Sequence, residues 1–203
     1  MSPTPARPFW TALVLAVLTL DPLNLAALPG AKASMETVRD RPLPERWQGR
    51  YLEEPIFDGR VYVVEAGSPQ APTVLLVHGL GQSGYQDWWE VMDALEADYH
   101  VVALDLPGFA RSPVPGGDLS PRRYSRLLYW LTRELDLGQA HLVGHSMGAA
   151  IAIYFTAHHP EQVNDLVVSD VAGILNRVAF LSDVVNLQEV GSHLPGFLAG
   201  GMQ

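Results

Sequence analysis

Five residues in this chain have the types and spacing for nucleophilic chemistry: Gly144-His145-Ser146-Met147-Gly148, directly after the strand-like stretch Ala140–Val143. A serine hydroxyl is a poor nucleophile until its surroundings improve it, and this pattern supplies the geometry. Gly144 and Gly148 omit the side chains that would clash where a strand turns sharply into a helix. Ser146 then sits at the apex of the turn, on strained backbone, with its hydroxyl presented outward. Other chemistries find less support. There is no cysteine, so no thiolate ligand, disulfide or cysteine nucleophile is available. The seven histidines fall without an H-E-x-x-H or similar ligand spacing, so neither a metal nor another cofactor is expected. A net charge of −9 argues against a nucleic-acid partner, whose phosphates need a basic face.

The elbow needs a strand before it and a helix after it, and the chain supplies a series of both. Val61-Tyr62-Val63-Val64, within Arg60–Ala66, is rich in β-branched and aromatic residues and reads as a strand closed by Gly67-Ser68-Pro69. Thr73–Val77 is a short apolar strand of the kind buried on both faces of a parallel sheet, and it runs into the glycine-rich loop His78–Gly84. Asp87 and Glu90 have capping-box spacing ahead of a helical stripe of Trp88, Val91, Met92 and Leu95. His100–Leu104 is a further buried strand, ending at Asp105. Ser120-Pro121 then opens a helix carrying Tyr124, Leu127, Leu128, Leu131 and Leu135, with Gly138 as its stop. After the elbow, a helix runs from Met147 to about His158 and a strand over Val163–Val168. The order predicts an α/β fold with a mostly parallel sheet and helices on both faces.

Residues 1–33 differ from the rest. Arg7 precedes Phe9–Leu20, which is apolar apart from Thr11 and Thr19, and Ala31-Lys32-Ala33 offers a signal-peptidase pattern with cleavage before Ser34. Asp21 and Pro22 stop the run short of the roughly 20 apolar residues of a membrane span. A signal peptide over residues 1–33 is expected, with export to the periplasm or medium. The alternative is an uncleaved membrane anchor through Leu23–Leu28, which would carry Asp21, Pro22 and Asn24 in lipid. Residues 34–58 read as an extended approach segment and 59–173 as the core. Residues 174–203 read as short amphipathic helices.

Taken together, the chain from about Val61 to Gly173 resembles the α/β-hydrolase fold superfamily. His78-Gly79 after a buried strand resembles its oxyanion-hole loop. Asp105–Ser112 is similar to its D-x-x-G-x-G-x-S segment, with Ala110 in place of the second glycine. Gly144–Gly148 resembles its nucleophile elbow, and His159-Pro160-Glu161 the usual close of the following helix. The resemblance implies a Ser146 nucleophile that forms an acyl-enzyme with an ester-type small molecule, and an oxyanion held by the backbone N–H groups of Leu80 and Met147. It also implies a catalytic histidine after a last strand, an acid after an earlier one, and a helical cap. Too few residues follow Val168 for these, so the expectation is an amino-terminal portion of the fold, ending within the cap and lacking the carboxyl-terminal strands.

Several polar residues compete for the remaining roles. Asp170 ends the last strand, at the edge where catalytic groups gather in open sheets, and is the candidate acid; a plain structural role competes. His78 reads as ordering the oxyanion loop, and His145 as shaping the elbow. His158 and His159 suit a helix C-terminus. His193, in Gly191–Pro195, is the tempting base but lacks preceding strands. Asp105 reads as a turn cap, and Trp88 and Trp89 as packing under the helix layer or lining a pocket mouth. Beside the esterase reading stand a non-catalytic binding domain and a carbon–carbon hydrolase or haloperoxidase on the same scaffold.

Overall fold

A computed structural model describes residues 41–81, 83–113 and 118–171. The signal-peptide, cap and His193 expectations lie outside these residues. The described chain is a six-stranded sheet with helices on both faces. The strands are β1 (Gln48–Glu54), β2 (Gly59–Ala66), β3 (Thr73–Val77), β4 (His100–Asp105), β5 (Ala140–His145) and β6 (Val163–Ser169). Their spatial order is β1-β2-β4-β3-β5-β6. β1 and β2 form an antiparallel hairpin whose second strand pairs antiparallel with β4, whereas β4, β3, β5 and β6 are mutually parallel. The central strands β3 and β4 are buried at every position, as the apolar runs Val74–Val77 and Val101–Leu104 within them require.

The parallel strands need crossovers, and three helices supply them: α1 (Trp89–Leu95), α2 (Pro121–Glu134) and α3 (Met147–His158). α1 covers one face, where Trp88, Trp89, Val91, Met92 and Leu95 pack with Val74, Leu76, Val101 and Ala103. α2 and α3 cover the other, where Tyr124, Leu127, Leu128, Leu131, Ile151 and Phe155 pack on Leu75, Val77, Val102 and Leu142. α2 begins as its sequence dictates: the Ser120 hydroxyl accepts the Arg123 N–H at 3.3 Å and Pro121 takes the first helical position. Its end differs from expectation. The helix stops at Glu134, and Asp136 takes a left-handed backbone (φ 50°) ahead of Gly138. The capping box at Asp87 does not form either. Gly84–Trp88 is a 3-10 turn, and α1 starts only at Trp89 with no side-chain cap.

β1 arises within the segment read as an extended approach. It is an edge strand with mostly exposed side chains, so no hydrophobic alternation marks it, and among the described strands it pairs with β2 alone. The chain just before it is fastened to α1. Trp47 packs against Trp89 with ring centroids 4.7 Å apart, and Arg46 pairs with Asp93 and Glu96. Among the described residues no helix is long and apolar enough to cross a membrane.

The edge of the sheet opposite the elbow is held by charge. The Glu65 carboxylate faces His100 Nε2 at 2.9 Å and Arg50 Nη1 at 2.5 Å. The hydrogen bond with His100 and the Arg50 charge hold Glu65 below its ordinary value of 4.5, against the opposing effect of burial. A carboxylate lowered on folding stabilises the native state above its unfolded value, and that stability disappears as pH falls through the folded value. Glu65→Gln is therefore expected to lower the urea midpoint at pH 7, with the gap to wild type closing progressively below about pH 4.5. A gap that stays constant or widens on acidification would contradict this role for Glu65.

Candidate active site

The carboxyl ends of β3, β4, β5 and β6 meet along one edge of the sheet, and Ser146 stands between β5 and α3. Its backbone has φ 53° and ψ −116°, a conformation that costs a non-glycine residue roughly 1–3 kcal/mol. Neighbouring backbone holds it there. The Ser146 N–H donates to the Ser169 carbonyl at 2.9 Å, tying the apex to the end of β6, and the Ser146 carbonyl accepts the N–H groups of Ala149 and Ala150 as α3 starts.

The glycines around Ser146 are demanded by space. A Cβ on Gly148 would overlap the carbonyl oxygens of Val77 and His78, so the first turn of α3 lies directly against the end of β3. A Cβ on Gly79 would come within 2.8 Å of the Ser146 Cβ and 3.1 Å of the His145 carbonyl oxygen. The loop after β3 therefore runs against the serine itself, and only a bare backbone fits between them.

Two residues predicted to supply N–H donors adjoin this contact, Met147 after the serine and Leu80 after Gly79. Met147 is the first residue of α3, where N–H groups have no intrahelical acceptor and the helix dipole favours negative charge. Leu80 follows Gly79 and is 71% exposed. Neither the Leu80 nor the Met147 N–H makes a hydrogen bond to another described residue, and the same is true of the Ser146 hydroxyl.

The loop that carries Leu80 is latched at both ends. The fully buried His78 donates from Nδ1 to the Gly79 carbonyl at 2.7 Å, and its Nε2 accepts the Leu106 N–H at 2.9 Å. The backbone donor at Nε2 fixes the neutral tautomer with the proton on Nδ1, and burial lowers its tendency to charge. Both nitrogens are occupied, so His78 orders the loop and has no lone pair to offer as a base. Asp105 forms the second latch. Its buried carboxylate accepts the Tyr85 N–H at 2.7 Å and the Arg111 N–H at 3.0 Å, joining the far end of the loop to the turn after β4. Burial raises Asp105 to about 6, while those two N–H groups act in the opposite direction. Ala110 stands where the resembled segment has glycine and takes the left-handed conformation itself, at φ 45°.

Asp170 also lies at this edge, with a left-handed φ of 49° and its side chain 82% exposed. Its carboxylate accepts the Ser169 hydroxyl at 2.9 Å and faces His145 Nε2 at 3.8 Å. His158 and His159 lie at the far end of α3, stacked on Tyr154 and Tyr129. Trp88 and Trp89 both belong to the core on the α1 face. Among the described residues, no group of His, Cys, Asp and Glu could hold a metal ion. The Asp105 latch was not apparent from spacing, because its partners are backbone N–H groups 20 residues before it and 6 after it.

A family model described as alpha/beta hydrolase fold matches residues 72–190, more than half of the chain. The chain belongs to the alpha/beta hydrolase fold family. It is similar to the dihydrolipoyllysine-residue acetyltransferase component of an acetoin cleaving system from Pseudomonas putida, with 34% identity over 137 residues, 66% of this chain and 33% of that protein. A pimeloyl-acyl-carrier-protein methyl ester esterase of Aeromonas hydrophila is 37% identical over 101 residues, 48% of this chain and 37% of that protein. Among solved structures, a membrane phospholipase A described as a bacterial virulence factor superposes with a TM-score of 0.60 at 30% identity, over 81% of this chain and 53% of that one. An epoxide hydrolase and a hydrolase of a 2-hydroxy-6-oxo-dienoic acid are among the similar proteins too. The chain spans about a third to a half of the length of these curated relatives.

The strain at Ser146 has a measurable consequence. Glycine adopts φ 53° without the steric cost that serine bears, whereas alanine retains that cost. Ser146→Gly is expected to be more stable than Ser146→Ala by about 1 kcal/mol in urea unfolding. Equal stability of the two variants would show that the elbow is relaxed.

Proposed function

We propose that this protein is an exported serine hydrolase that cleaves an ester or related acyl bond of a small molecule through a Ser146 acyl-enzyme. The observation that carries the proposal is a strained serine at a helix start, against which the loop of Gly79 runs, with its hydroxyl and the N–H groups of Leu80 and Met147 unpartnered among the described residues. Attack by the Ser146 oxygen on the acyl carbon turns the carbonyl into a tetrahedral oxyanion, to which Leu80 and Met147 donate. Collapse expels the alcohol, which takes up the proton released by Ser146, and water then hydrolyses the acyl-serine to the acid and the free enzyme. The proton carrier is proposed to lie outside the described residues, since His78 is fully engaged and Ser146 has no histidine partner among them. Asp170 is retained as the candidate acid on its position at the end of β6. The methyl ester esterase and phospholipase relatives support ester chemistry. Export rests on the leader-like residues 1–33.

A carbon–carbon bond hydrolase is the second reading, favoured by 30% identity over 141 residues to the 2-hydroxy-6-oxo-dienoic acid hydrolase. Short-chain p-nitrophenyl esters separate the two. On the full-length protein, Ser146→Ala is expected to lower kcat/KM for ester hydrolysis about a thousandfold or more with circular dichroism unchanged. Unchanged esterase activity in that variant would reject Ser146 as the nucleophile. A folded wild type that ignores esters but cleaves a vinylogous 1,5-diketone would select the second reading.

A further inference from the structure

Arginine supplies nearly all the positive charge of this chain, which has a single lysine at position 32. Most of the described arginines are committed to the fold. Arg46 pairs with Asp93 and Glu96, Arg50 with Glu65, and Arg41 with Glu90. Arg123, on α2, donates to the Ile56 carbonyl and lies over the Phe57 ring. The other three arginines of α2 are used differently. Arg122, Arg126 and Arg133 are exposed, and none of their guanidinium groups makes a hydrogen bond or ion pair with another described residue.

Their spacing aligns them. At about 100° per residue, positions 122, 126, 129 and 133 fall within roughly 60° of arc, and 11 residues of helix span roughly 16 Å. Three guanidinium groups and the Tyr129 ring thus form one stripe on the side of α2 opposite Tyr124, Leu127, Leu128 and Leu131, which enter the core. Tyr129 is 37% exposed and stacks on His159 with ring centroids 4.4 Å apart, so the middle of the stripe is braced against the end of α3. The single acid of α2, Glu134, points about 100° away from Arg133 around the axis. Glu161, the acid beside the stack, faces His159 at 3.9 Å.

We propose that this stripe docks the protein on an anionic phospholipid surface. Three aligned cations without an ion-pair partner among the described residues give a chain of net charge −9 one orientation in which it is attracted to a negative plane. A headgroup layer can meet the whole of so narrow a stripe at once, and a half-exposed tyrosine among arginines suits the boundary between acyl chains and water. A stable protein partner would need an apolar centre. Tyr129 is the only exposed large hydrophobic residue on α2, so the face favours lipid.

The absence of cysteine allows a single label at the stripe. In the full chain, Tyr129→Cys carrying an environment-sensitive fluorophore reports contact at this helix regardless of what residues 1–33 do. Vesicles of 40% phosphatidylglycerol in phosphatidylcholine are expected to shift its emission to the blue. Pure phosphatidylcholine should need about tenfold more lipid for the same response or give none, and 0.5 M salt should abolish the shift. Adding Arg122→Gln, Arg126→Gln and Arg133→Gln should raise the half-saturating lipid concentration about tenfold or more. The proposal is overturned by an equal response to both lipids, by a triple variant that responds like its parent, or by no response. A shift that depends on protein concentration without vesicles, and vanishes in the triple variant, would assign the stripe to a second copy of the chain instead.

Discussion

The contact on which the site depends is one of backbone against backbone. The first turn of α3 lies on the carbonyls of Val77 and His78, and the loop after β3 runs against Ser146, with glycine at 148 and 79 because no Cβ fits. Interiors are close-packed and yield little, so those two contacts set where the serine stands relative to β3 and the loop after it. The strained Ser146 backbone is then a consequence of the packing around it. It persists because the hydrogen bond to Ser169 and the start of α3 hold it from either side.

A second set of interactions fixes the loop that carries Leu80. His78 is a hydrogen-bond junction between its own loop and Leu106, and Asp105 joins Tyr85 to Arg111. Both residues are buried and polar, which would be costly if they were unsatisfied. Each is satisfied by backbone N–H or C=O groups of the loops at the carboxyl edge. The buried polar groups His78 and Asp105 therefore act on loop position. The hairpin of β1 and β2 and the Trp47–Trp89 contact brace the opposite flank and the helix α1 that leads on from the loop.

Most of the parallel core could be read directly from the chain. Thr73–Val77 and Met147–His158 appear with the expected bounds, because an unbroken apolar run between glycine-rich turns and a helix closed by Pro160 are local signals. β1 was not readable, since an exposed edge strand has no pattern of its own and is defined only by pairing with β2. The capping spacing at Asp87 was misleading for a tertiary reason: the Tyr85 N–H is drawn to Asp105, and the chain enters α1 through a 3-10 turn. At the site, the elbow and the glycine loop were visible as motifs. The ordering role of His78 was readable from its place before that loop, but its partner Leu106 and the Asp105 latch were not, because these partners are main-chain groups whose positions follow from the fold rather than from residue type.

Covalent trapping tests the central claim most directly. The full-length protein treated with a fluorophosphonate and digested should carry the adduct on the peptide containing Ser146, with no adduct at that peptide in the Ser146→Ala variant. Phosphonylation of a different serine, or no adduct on a folded protein that hydrolyses esters, would contradict a nucleophile at the Gly144–Gly148 turn.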